Sequence, residues 1–70
     1  MKVQTMEPIT PEELRAIRKG LGWTLERMAA EIGMSETYVG QMERGQKPIE
    51  RRTALAARYL ALTGAKDGAR

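Results

Sequence analysis

At 70 residues the chain has room for one small domain, and a domain of that size buries only roughly 60% of its unfolded surface, so its stability is expected to be marginal. It contains no Cys and no His, which excludes a disulfide framework, a thiolate zinc site and His-based acid–base catalysis, and the missing Cys suits a reducing cytosol. The net charge is +3, from 12 basic and 9 acidic side chains, and no apolar run approaches the ~18 residues of a membrane span.

Residues 1–9 mix scattered apolar side chains with polar ones and are expected to form a flexible arm; with one positive charge and no apolar core they do not resemble a secretory signal. The run Thr10-Pro11-Glu12-Glu13 is a strong helix start. Thr10 can cap, Pro11 suits the first helical position, and Glu13 completes a capping box. Leu14, Ile17 and Leu21 then recur at helical spacing, and Gly20 and Gly22 end the helix.

Thr24 opens a second helix whose apolar face is Met28, Ala29 and Ile32, with a tight turn at Gly33. Ser35, the only Ser in the chain, caps a third, with Met34, Val39 and Met42 on its apolar side. Ile9 and Leu14, Trp23 and Met28, and Met34 and Val39 flank the three caps as hydrophobic staples, which gives Trp23 a packing role rather than one in base stacking. Gly45 and Pro48 break the chain before a fourth helix, expected from about Glu50 to Thr63 with Gly64 as its C-terminal cap. Residues 64–70 are expected to fray, leaving 10–63 as the folded domain. No alternation of β-branched residues suggests a strand.

The basic charge is not spread evenly. Between positions 44 and 58 stand Arg44, Lys47, Arg51, Arg52 and Arg58 against the single acid Glu50, whereas the stretch from Glu7 to Glu36 is near balance. A cluster placed just after the third helix suits a phosphate footprint better than a merely solvated face.

Two helices of about eight residues joined by a short turn containing Gly form a helix-turn-helix pattern, whose second helix enters the DNA major groove. The ordered set Thr24, Glu26, Ala29, Gly33, Ser35, Tyr38, Val39, Gln41, Glu43, Arg44, Gly45 and Pro48 resembles the Cro/repressor-type helix-turn-helix family, also called xenobiotic-response-element-type regulators. The resemblance covers roughly residues 10–62. It implies a small all-α domain of four or five helices, lambda-repressor-like, that binds operator DNA as a dimer and represses transcription. It also implies that Glu36, Thr37 and Gln41 read base edges. Gln41 can bond adenine N6 and N7, Thr37 can bond a base or pack on a thymine methyl, and Glu36 can accept from cytosine N4 or simply favour the helix start. Phosphate contacts are expected from Thr24, Tyr38, Arg44, Lys47, Arg51 and Arg52, with packing on its neighbours or a base contact as the alternatives for Tyr38 and a base contact as the alternative for Arg44; Glu43 is expected in a structural ion pair or hydrogen bond rather than a base contact.

Two positions depart from the family. Leu25 stands where Gln commonly bonds phosphate and braces the recognition helix, so that contact is expected to be absent, although N–H groups near Thr24 can still hold a phosphate. Gly40 stands mid-helix where Ser is usual, at a cost of about 1 kcal/mol relative to Ala.

On the fourth helix Ile49, Thr53, Ala56 and Leu60 form one stripe, expected to pack on the core. Leu55, Tyr59 and Leu62 form a second, adjacent stripe in excess of what a surface helix needs. That second stripe is expected to meet its copy across a two-fold axis, with cover by Val3 and Met6 of the arm as the alternative. The functional expectation is a dimeric, self-regulating repressor on an inverted-repeat operator, of phage or mobile-element type, cytoplasmic and nucleoid-associated. No enzyme activity, metal, cofactor or membrane contact is expected. A DNA-binding antitoxin with a toxin partner, a restriction-modification controller, and a protein-interaction module that kept the fold without DNA binding are the alternatives weighed.

Overall fold

A computed structural model describes residues 9–68, with side chains through Gly64. It contains four helices and, among the described residues, no strand: α1 (Pro11–Gly20), α2 (Leu25–Ile32), α3 (Glu36–Glu43) and α4 (Arg51–Gly68). The expected all-α domain is therefore what forms.

The first three helices start and stop by one repeated local device. Each opens on a hydroxyl that accepts from the backbone N–H three residues on: Thr10 from Glu13, Thr24 from Arg27 and Ser35 from Tyr38. At Thr10 the box is complete, since its own N–H donates to Glu13 Oε1 at 2.9 Å. Each closes with a left-handed glycine flanked by paired backbone bonds. At Gly33 (φ 74°) the Met34 N–H reaches Ala29 O at 2.9 Å and the Gly33 N–H reaches Ala30 O at 3.4 Å. The same pairing surrounds Gly22 and Gly45, so orphan carbonyls at all three ends find donors. Gly33 is the position that sets the angle between α2 and α3, because a Cβ there would be strained by the positive φ.

The core is Ile9, Leu14, Met28, Ala29, Val39, Met42, Ala54 and Ala57, ringed by half-buried Ile17, Trp23, Leu25, Ile32, Met34, Tyr38 and Ile49. All three staple pairs fall within this set. Ile9 is buried, so it belongs to the domain rather than to the arm; residues 1–8 lie outside the described residues. Trp23 has its packing role, with the Arg27 guanidinium 4.4 Å above its ring. α2 packs chiefly on α3 and α1 on α4.

α4 differs from expectation in two respects. It does not end at Thr63 but continues through Gly64 to Gly68. Gly64 is no cap: it is a buried helical residue at a close approach, where a Cβ would lie 3.2 Å from Trp23 Cζ2 and 3.3 Å from Leu21 Cδ2. The core-facing side of α4 is also rotated. Thr53, Ala54 and Ala57 are the buried residues, while Ala56 and Leu60 are only half-buried. Small side chains line this seam because α4 passes close to the other helices, and hydropathy favours larger residues when a stripe is assigned.

Thr53 is 3% exposed and its Oγ1 has no hydrogen-bond partner among the described residues. A buried unsatisfied hydroxyl costs about 1–3 kcal/mol. Thr53→Val replaces it with a methyl of similar size. The expected result is a gain of about 1 kcal/mol, visible as a melting point roughly 4–8 °C higher. A lower melting point would show that the hydroxyl is satisfied in solution.

Candidate nucleic-acid interface

Helix α3 is fixed from three sides. Val39 and Met42 are fully buried beneath it. At its C-terminal end the Glu43 carboxylate accepts two bonds from Arg18 of α1, Nε to Oε2 at 2.8 Å and Nη2 to Oε1 at 3.1 Å. Arg18 donates a third, from Nη1 to Trp23 O at 3.0 Å, which ties the α1–α2 junction into the same node. The two side chains are 13% and 7% exposed. The bond to Glu43 raises the Arg18 pKa, burial works against it, and the charge of Glu43 adds to the rise. The expected structural role of Glu43 is thus met, by a partner 25 residues away that no local pattern indicates.

The third side is Leu25. It is half-buried and packs on the core, with Cδ1 3.8 Å from where a Gly40 Cβ would stand. The side chain in the place of the family's Gln is therefore apolar and packs on the core at the α2–α3 junction, beside Gly40.

What α3 leaves outward is polar. Glu36 and Thr37 are exposed and Gln41 is half-exposed. At 100° per residue they lie on the side of α3 away from Val39 and Met42. Tyr38 is half-buried and packs on the core, so only part of it faces outward. Thr24 Oγ1 accepts from the Arg27 N–H at 3.0 Å, and its hydroxyl proton can still be donated to an anion.

Beyond α3 the basic residues Arg44, Lys47, Arg51 and Arg52 are all exposed. Arg52 approaches Glu50 only at 4.0 Å, with both side chains largely in solvent, a pair of little energetic weight. Arg51 and Arg52 occupy the first turn of α4, which carries no acid. The positive end of a helix macrodipole disfavours cations there by about 0.3–1 kcal/mol each. An anion held at that turn would reverse the sign of the effect, so the placement suits a surface that binds phosphate.

Among the described residues no helix is long and apolar enough to cross a membrane. Leu55, Tyr59 and Leu62 are exposed on α4, at 44%, 64% and 74%. They lie about 180° around the helix from Ala57 and Gly64, on the side opposite the core rather than next to it.

A family model described as helix-turn-helix matches residues 14–57, from the first core residue of α1 to the last buried alanine of α4. No curated protein and no solved structure matches the chain. The matched span contains the braced α2–α3 pair and the polar outward face of α3. The chain belongs to the helix-turn-helix family of xenobiotic-response-element type, a family of DNA-binding transcription regulators.

Proposed function

We propose that the chain is a sequence-specific repressor that binds an inverted-repeat operator as a homodimer, with α3 in the major groove. One observation carries the reading: a rigidly braced helix presents Glu36, Thr37 and Gln41 outward, and exposed cations follow it in the α3–α4 loop and the first turn of α4. In this reading Gln41 and Thr37 read base edges, with Glu36 at the helix start beside them. Thr24, Tyr38, Lys47, Arg51 and Arg52 face the sugar–phosphate backbone. The protein works by binding and positioning rather than by catalysis, on the nucleoid of the cytoplasm.

The test is selection of bound sequences from random duplex DNA, followed by affinity measured against salt and against single-base variants of the selected site. Affinity should fall steeply with salt, with a slope near −0.9 per phosphate neutralised. Lys47→Ala should weaken all sequences alike and flatten the slope by about one per subunit. Gln41→Ala should instead lose discrimination at one base pair per half-site, by roughly 1–3 kcal/mol. Binding indifferent to salt would overturn the reading.

A further inference from the structure

Glu36, Gly40 and Arg44 follow one another at intervals of four, so they form one ridge along α3. The ridge is notched at its centre, because Gly40 has no side chain. A helical side chain lies over the turn preceding its own Cα, and Arg44 does so here. A Cβ at Gly40 would stand 3.2 Å from Arg44 Nη1 and 4.0 Å from its Cζ. Nη2 is 3.4 Å from Gln46 Oε1. Gly40 is buried, although it is on the outward side of α3. Leu25 Cδ1, 3.8 Å from the same point, lies on the α2 side of the notch.

The guanidinium of Arg44, the C-cap of α3, therefore spans from Gly40, beside Nη1, to Gln46 just past the helix end, beside Nη2. Its Nη1 end is drawn back to the level of Gly40 and its neighbour Gln41. A cation at the rim meets phosphate. A planar fork reaching back into the reading face meets base edges, and guanine O6 and N7 form the acceptor pair that fits it.

We infer that Arg44 is a specificity-determining residue that reads a guanine, and that Gly40 is the positioning residue that lets it do so. The inference rests on the DNA-binding reading above and replaces the phosphate role for Arg44. An alanine at position 40 would ask Arg44 Nη1 to give by only a few tenths of an ångström; a leucine would fill the notch and displace the guanidinium while leaving the helix intact, since leucine is a better helix former than glycine.

The experiment uses the full chain and the selected operator with its single-base variants. Arg44→Ala should cost roughly five- to 150-fold on the operator, and the loss should vanish on variants lacking one particular G·C pair per half-site. Gly40→Leu, which keeps the arginine but fills the notch, should flatten preference at that same pair while the affinity for unrelated DNA stays unchanged. If Arg44→Ala instead weakens every sequence equally and makes the salt slope shallower, as Lys47→Ala does, Arg44 is a phosphate contact and the inference is overturned with DNA binding intact. Loss of preference at different base pairs in the two variants would also overturn it. A wild-type chain with no salt-sensitive DNA affinity would remove the underlying reading as well.

Discussion

Glu43→Ala should remove a third or more of the protein's stability. The carboxylate is 7% exposed and is the anionic partner of Arg18, itself 13% exposed. Removing it leaves a guanidinium largely out of water with, among the described residues, Trp23 O at 3.0 Å as its remaining acceptor. Breaking such a buried pair costs roughly 3–5 kcal/mol. A domain of this length has a total stability of only about 0.05–0.15 kcal/mol per residue, roughly 3.5–10 kcal/mol in all, so the loss is a large fraction of the whole. Urea denaturation followed by helicity measures it directly. Replacing both members together, Arg18→Met with Glu43→Met, should be far milder, because no charge is then left unpaired. If Glu43→Ala cost less than about 1 kcal/mol, the node would behave as an exposed ion pair and could not be what fixes the end of α3.

That node also marks a limit of what can be read from the chain alone. Thr10, Thr24 and Ser35 as caps, and Gly22, Gly33 and Gly45 as stops, are local signals, and each performs its expected task because capping is decided within a few residues. The structural role of Glu43 was legible, but its partner was not, since Arg18 is 25 residues away. Gly64 looks like a helix stop for the same local reason, yet its missing Cβ serves a close approach to Trp23 and Leu21. Ala54 and Ala57 form the buried seam of α4, and small residues weigh little in a hydropathy pattern dominated by Ile49 and Leu60. Leu25 reads as the loss of a polar contact until its packing beside Gly40 is seen. Tertiary proximity settles each of these, and periodicity does not carry it.

The double variant Leu55→Glu with Tyr59→Glu should give a folded monomer with weak operator binding. Both side chains are exposed, at 44% and 64%, and Leu62 beside them is 74% exposed, and none of the three is in the buried core, so the change should cost little packing. The stripe is continuous on α4, since the three residues fall within about 60° of one another around the helix. It lies across the helix from the core, which leaves it available to a second copy without disturbing α3. A two-fold contact there would be self-complementary, Leu55 and Tyr59 of each chain meeting the same stripe of the other. It would also carry two recognition helices to successive major grooves, about 34 Å apart. Four carboxylates brought to one apolar contact would abolish it. Each chain would then bind its half-site alone and forfeit the roughly 10²–10⁴-fold gain of simultaneous engagement. Sedimentation and helicity are to be measured together with operator and isolated half-site affinity. The expected result is a monomer of wild-type helicity whose operator affinity falls to that of a half-site. A variant still dimeric at micromolar concentration would place the interface elsewhere, and one that loses its helicity would show that this stripe belongs to the core.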